Sequence, residues 1–163
     1  MKSVIIRKAQ KKDSQAFLSL VNALADYEKL KRPSITARKR LIRDAFGKRP
    51  KFEALLAFVE ETPAGYAIFF QTYSSFLALP TLYLEDLFVL PEFRKQKIGV
   101  SLFTTCLAEA RKRGCGRMEW MVLDWNSLAI DFYKKLGAKH LKGWLPFRME
   151  SKQFNKILKR TER

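Results

Sequence analysis

Two adjacent carboxylates, Glu85 and Asp86, stand inside an otherwise apolar run, LYLEDLFVL (82–90). Strand alternation sends Leu82, Leu84, Asp86 and Phe88 to one face and Tyr83, Glu85, Leu87 and Val89 to the other. Burying a carboxylate without a partner is costly. Each therefore either pairs with one of the many arginines or has a chemical task, such as accepting a proton or binding a cation. Downstream, LDWNSLAIDFYKKLGA (123–138) puts Tyr133 on a helical stripe with Ala129 and Leu136. A tyrosine there is either core with its hydroxyl satisfied or a polar group with work to do, and Asn126 reads as the helix cap. The third stretch, LPEFRKQKIGVSLF (90–103), is a basic turn through Arg94, Lys95, Gln96 and Lys97 into Ile98, Gly99 and Val100. These lead an amphipathic helix, and the free N–H groups and dipole of a helix start suit a phosphate.

The surrounding elements must bring these stretches together. VIIRKA (4–9) reads as a first strand. Asp13 is placed to cap a helix with Ala16, Phe17, Leu20, Val21 and Leu24 on one stripe. Pro33 breaks the chain, and a second helix from about Thr36 buries Leu41, Ile42, Ala45 and Phe46 until Gly47 stops it. FEALLAFVE (52–60) and GYAIFFQTY (65–73) read as strands joined across ETPA. TLYLEDLFVL (81–90), apolar on both faces, is expected at the sheet centre. After the basic turn, Ile98, Leu102, Cys106, Leu107 and Ala110 share a helical face, with Thr105, Glu109 and Lys112 opposite. RMEWMVL (117–123) reads as a strand, and Asn126 opens a helix burying Ala129, Phe132, Tyr133 and Leu136. AKHLKGW (138–144) and PFRME (146–150) read as a closing strand pair. The expected fold class is α/β (α+β): one domain over residues 1–163, with a mixed sheet flanked by helices.

With 163 residues, 47% of them hydrophobic, the chain is long and apolar enough for a folded core. No apolar run approaches the ~20 residues of a membrane span, and MKSVIIRKAQKKD is too short an apolar block for a secretory signal. Cys106 and Cys115 fit a reduced, cytoplasmic protein, and with His140 as the lone histidine no metal site is expected. The net charge of +16 gathers in 28–51 and 151–163. It reads either as a solvated surface or as attraction to nucleic acid, a membrane surface or a polyanionic cofactor.

Taken together, the segments resemble the GNAT superfamily of acetyl-CoA-dependent N-acetyltransferases, and within it the diamine (spermidine/spermine) and thialysine branch. LADYEKL (24–30) with a charged helix ending DAFG (44–47), LYLEDLFVLPEFR (82–94), and VLDWN (122–126) followed by AIDFYKKLGA (129–138) carry the resemblance. It implies a mostly antiparallel sheet, splayed open at the cofactor site. The family's pyrophosphate loop, Arg/Gln-x-x-Gly-x-Gly/Ala, becomes Arg94-Lys95-Gln96-Lys97-Ile98-Gly99. Arg94 and Gly99 match. Lys97 replaces the first motif glycine and Lys95 a further glycine common in the branch. The turn is still expected to bind CoA, through N–H groups from Arg94 to Val100 and on to Ser101.

By the same resemblance Glu85 is the base, directly or through water, and Tyr133 protonates the departing sulfur. Asn126 contacts CoA, and backbone at Leu87, Phe88 and Val89 pairs with the pantetheine arm like an added strand. Asp26, Glu28 and Asp86 are expected to hold an ammonium group. A homodimer is also implied, and the apolar segment GWLPFRME (143–150) suits an interface. Lys29, Lys31 and Arg32 oppose a polycation, so a lysine-like amino acid fits the acceptor site better than a polyamine. The competing readings are a GNAT-fold module bound to nucleic acid or the ribosome, for which no dedicated motif is present, and a protein or peptide N-acetyltransferase.

Overall fold

The computed structural model describes residues 3–161, and the chain forms two compact units, Met1–Met121 and Val122–Arg163. The first holds β1 (Val4–Lys8), α1 (Ser14–Tyr27), α2 (Ile35–Phe46), β2 (Glu53–Val59), β3 (Thr62–Ser74), β4 (Leu79–Val89), α3 (Ile98–Lys112) and β5 (Arg117–Glu119). The second holds α4 (Ser127–Lys135) and α5 (Ser151–Thr161). The five strands lie in sequence order in one sheet. β1 to β4 are antiparallel neighbours, whereas β5 runs parallel to β4. This is the mixed, mostly antiparallel sheet expected of the fold class.

One sheet face is closed by α1 and α2. Phe17 and Leu20 of α1 are buried with Leu56, Tyr66, Ile68 and Phe88 of the sheet, while Leu41, Ile42, Ala45 and Phe46 of α2 are partly buried against them. The Ser34 hydroxyl caps α2 by accepting the Ala37 N–H at 3.2 Å, and Gly47 ends it. On α3, Ile98, Leu102, Cys106 and Ala110 are buried as their spacing demands, joined by Phe103. Leu107, expected beside them, is exposed.

Four expectations are corrected. Asp13 makes no side-chain cap on α1. It is buried and instead accepts two guanidinium N–H bonds from Arg7 (2.7 and 2.8 Å) and the Gln10 N–H (2.8 Å). The hairpin turns at Glu60 and Glu61 rather than across ETPA, because β3 already starts at Thr62. The strand over 117–123 shrinks to Arg117–Glu119, since its pairing with β4 runs only from Thr81↔Arg117 to Tyr83↔Glu119. The closing strands over 138–150 are absent among the described residues. Pro146 lacks a ladder donor and Gly143 turns the chain at φ 92°, so the local alternation finds no ladder to join. Trp144 and Phe147 are left 77% and 93% exposed. No helix among the described residues is long and apolar enough to cross a membrane.

Candidate active site

The period-2 pattern of β4 fails at the point that matters. Ile68 faces Asp86 and Phe69 faces Leu84, so Glu85 is an extra residue, a β-bulge. Directly opposed residues share a face, so Leu84 follows Phe69 to one side while Asp86 follows Ile68 to the other. The alternation that grouped Leu84 with Asp86 is overturned. Instead of being sent to opposite faces, Glu85 and Asp86 line one cavity of about 490 Å³. Val21, Leu41, Phe52, Ile68 and Phe70 form its apolar wall, and Lys51 is its cation.

Asp86 is half-buried and accepts the hydroxyl of the fully buried Tyr66 at 3.0 Å. Burial pushes its carboxyl up to about 6; the Tyr66 bond opposes the shift, while the negative charges of Glu85 and Glu28 add to it. Burial likewise raises Glu28, which follows the C-terminus of α1. The result is a carboxyl that titrates near neutrality in an apolar cavity, beside two further acids. A cation entering there relieves both the desolvation and the like-charge strain. Asp26 is placed differently: it lies at the surface and is taken up by Arg32 in two bonds of 2.7 and 2.6 Å.

Past the bulge, β4 has a free edge. Leu90 N–H donates to the Ala64 carbonyl of β3 at 2.9 Å. By strand alternation, Phe88 and Asp86 therefore turn their backbone groups to β3, and Leu87 and Val89 turn theirs away. β5 does not reach that far, because its pairing stops at Tyr83. The sheet is open beside Leu87 and Val89, where an extended ligand could add main-chain bonds. The Phe88 side chain belongs to the core, 5% exposed, with its ring centroid 5.9 Å from that of Tyr27.

The basic turn keeps a glycine-like backbone without glycine. Lys95 has φ 61° and Lys97 φ 63°, a left-handed conformation costing roughly 1 kcal/mol or more for a residue with a Cβ. Lys97 is the N-cap of α3 and makes no side-chain cap bond. Its carbonyl takes the Ser101 N–H at 3.0 Å, so the N–H groups of Ile98, Gly99 and Val100 head the helix without an intrahelical partner. Left-handed turns running into a helix start form an anion cradle, and the lysines add charge. Arg94, which leads into the turn, is held in place: its Nε donates to the Val89 carbonyl at 3.1 Å, and its guanidinium lies 4.8 Å from the Tyr27 ring centroid. The donor set suits the diphosphate of a nucleotide-bearing cosubstrate.

A family profile described as acetyltransferase (GNAT) family matches residues 17–138. The chain belongs to the GNAT acetyltransferase family. It is 35% identical to a thialysine N-epsilon-acetyltransferase of pig (Sus scrofa), over 96% of this chain and 98% of the relative. It is 30% identical to a human (Homo sapiens) spermidine/spermine N(1)-acetyltransferase-like protein, over 91% of this chain and 23% of that one. Among solved structures, an aminoglycoside N-acetyltransferase in complex with CoA superposes with a TM-score of 0.77 at 18% identity, covering 92% of this chain and 97% of that one. The protein is therefore an N-acetyltransferase with acetyl-CoA as cosubstrate.

In this GNAT chain the first unit brings together Glu85, Asp86, the Leu87–Val89 edge and the Arg94–Val100 turn. Asn126 and Tyr133 lie in the second unit. The Asn126 side chain accepts the Ala129 N–H at 3.2 Å, capping α4. Tyr133 is half-buried, its ring 5.1 Å from that of Phe132 and nearly perpendicular to it. Sequence reasoning missed Lys51, Phe70 and Tyr66. The last sits in an apolar run and acquires its role only through the register that sets it near Asp86.

Proposed function

We propose that the acceptor is the primary amine of a small molecule, polyamine-like or lysine-like, and that Glu85, Asp86 and Tyr133 carry the transfer. The observation behind this reading is the bulge, which puts two carboxylates in one apolar cavity beside an open strand edge. An acceptor amine arrives as ammonium, since its pKa is about 10. Asp86 and Glu28 attract it, and Glu85 takes a proton, directly or through water. The freed lone pair bonds to the thioester carbonyl carbon, while the carbonyl oxygen gains charge against N–H groups of β4. The C–S bond breaks with its electrons on sulfur, the Tyr133 hydroxyl protonates the thiolate, and a second amine proton leaves to solvent as the amide forms. Backbone N–H groups of the Lys95–Val100 turn hold the CoA diphosphate, those of Arg94 and Ser101 being taken by the Pro91 and Lys97 carbonyls, and Asn126 contacts CoA.

Tyr133→Phe keeps the ring and removes the acid. Turnover per folded molecule should drop roughly 10²–10⁴-fold while the melting temperature stays close to that of the parent. Glu85→Gln should slow the reaction most at neutral pH and recover in part as pH rises, because free amine then forms unaided. Parental rates for both variants, corrected for folded fraction, would sink the assignment.

The two units are proposed to act as one catalytic domain over residues 1–163, because the family match runs from one into the other. The exposed Trp144, Leu145 and Phe147 support a homodimer, and the free thiols of Cys106 and Cys115 fit a cytoplasmic setting. Light scattering that finds only monomer at micromolar concentration would count against the dimer.

A further inference from the structure

Tyr66 carries a hydroxyl into a core that a phenylalanine would fill as well. Its side chain is fully buried. Its ring meets Phe17 of α1 edge-on, with centroids 6.0 Å apart, and Phe88 of β4 at 6.4 Å. A buried hydroxyl needs a partner to offset its desolvation. Among the described residues the Tyr66 hydroxyl has one, Asp86 Oδ2 at 3.0 Å. The sheet register sets this up: Tyr66 stands opposite Phe88 and Ile68 opposite Asp86, so Tyr66 and Asp86 are diagonal neighbours on one face. Diagonal positions lie roughly 7–8 Å apart, within reach of a tyrosine and beyond that of a serine.

The bond occupies one carboxylate oxygen. Asp13, by contrast, has both of its oxygens on Arg7. Oδ1 of Asp86 has no hydrogen-bond partner among the described residues, and no unpartnered side-chain oxygen there is buried. Oδ1 is therefore accessible. The other groups that face this carboxyl are Glu85 beside it on β4, Glu28 after α1 and Lys51 ahead of β2, while α2 contributes the uncharged Leu41. Burial and the two acids push Asp86 towards its neutral form, and the Tyr66 bond pulls it back. Burial and the Asp86 charge hold Tyr66 itself well above the ordinary phenol range, so it stays a donor throughout neutral and mildly alkaline pH.

We propose that Tyr66 is a positioning residue of the acceptor site: its hydroxyl fixes Asp86 by Oδ2 so that Oδ1 receives the ammonium group of the substrate. This rests on the acetyltransferase reading of the cavity and adds to it a residue that touches no substrate. A carboxylate that accepts a hydroxyl hydrogen bond stays ionised to lower pH than one that does not. A neutral Asp86 would offer the ammonium no charge. Tyr66 thus sets where Asp86 stands and the pH above which it holds the amine.

Tyr66→Phe keeps the ring and removes the hydroxyl. KM and kcat would be followed from about pH 5.5 to about pH 9 with lysine and with spermidine as acceptors, and Asp86 would be titrated by NMR of its carboxyl carbon. In the parent, KM should fall as pH rises through about 6. In Tyr66→Phe that fall should move up by about one pH unit. KM at pH 7 should then rise about 3- to 10-fold, with kcat within about twofold and the two profiles converging towards pH 9. The NMR midpoint should move by the same amount. In an Asp86→Asn background, Tyr66→Phe should change KM by less than about twofold at any pH. The proposal is overturned if the KM profiles of parent and Tyr66→Phe coincide, if the NMR midpoint stays in place, or if KM rises equally in the Asp86→Asn background, where only packing is altered. Should the parent acetylate neither amine, the acceptor reading of the cavity fails, while the NMR midpoints still decide whether Tyr66 sets the charge of Asp86.

Discussion

Glu53 on β2 and Asp86 on β4 are both acids of the central sheet, yet their surroundings drive them in opposite directions. Glu53 accepts Arg113 at 2.6 Å and Lys8 at 2.7 Å. The Arg113 bond leads in holding its carboxyl at about 2, against a smaller opposing push from burial. Asp86 has a tyrosine hydroxyl and two like charges for company, and burial leads in raising it to about 6. One acid is fully compensated by cations, and its charge serves the fold. The other has no ion pair among the described residues and costs stability when ionised. A fold tolerates such a residue where an incoming cation is expected to complete it.

The linkage signs follow from the two shifts. Asp86 holds its proton more tightly folded than unfolded, so its contribution to stability is present below the ordinary carboxylate range and is lost as pH rises through about 6. For Glu53 the contribution is present above about 4.5 and is lost as pH falls towards about 2.

The sharpest break of this contrast is Asp86→Asn. KM for the amine should rise about 10- to 100-fold, the loss expected for one charge-assisted bond. The melting temperature at pH 7 should also rise, by the equivalent of about 1–2 kcal/mol. A protein less stable than the parent at pH 7 would refute the strained-acid reading. Glu53→Gln should do the converse, with turnover nearly unchanged and stability above pH 4.5 lower by about 1 kcal/mol, given solvent screening at a partly exposed site. Denaturant titrations at acid and neutral pH would show it. The smallest effect is expected at Lys97→Gly. Removing the Cβ from a left-handed residue relieves strain, while glycine adds unfolded-state freedom. CoA affinity, read by calorimetry, should stay within about threefold or improve. A large loss would mean that the lysine side chain, rather than the backbone, makes the site.

What could be read from residue order was what is written in short-range periodicity. The Phe17–Leu20 stripe, the three apolar strands around β3 and the buried face of α3 all follow from 3.6- or 2-residue repeats. The bulge is not written that way. It is a two-against-one count between Glu85–Asp86 and Ile68 on a different strand, and period-2 reasoning returns the wrong face for Leu84. Tyr66 and Lys51 enter the site through the same long-range register and through the bend at Gly47. The segment 138–150 shows the reverse error: local alternation was present, but Pro146 and the short β5 left no ladder. At Lys95 and Lys97 residue type argues against a left-handed backbone, and only the motif spacing carried the turn.

The open edge of β4 has a consequence for amide exchange. Asp86 and Phe88 point their N–H groups into the ladder with β3, while Leu87 and Val89 point theirs into the gap left by β5. A single strand should thus show alternating slow and fast deuterium uptake from one residue to the next. An extended ligand lying in that gap would slow Leu87 and Val89 and leave their neighbours as they were. Two amides of the chain then serve as a built-in gauge of occupancy, readable before any acceptor has been found.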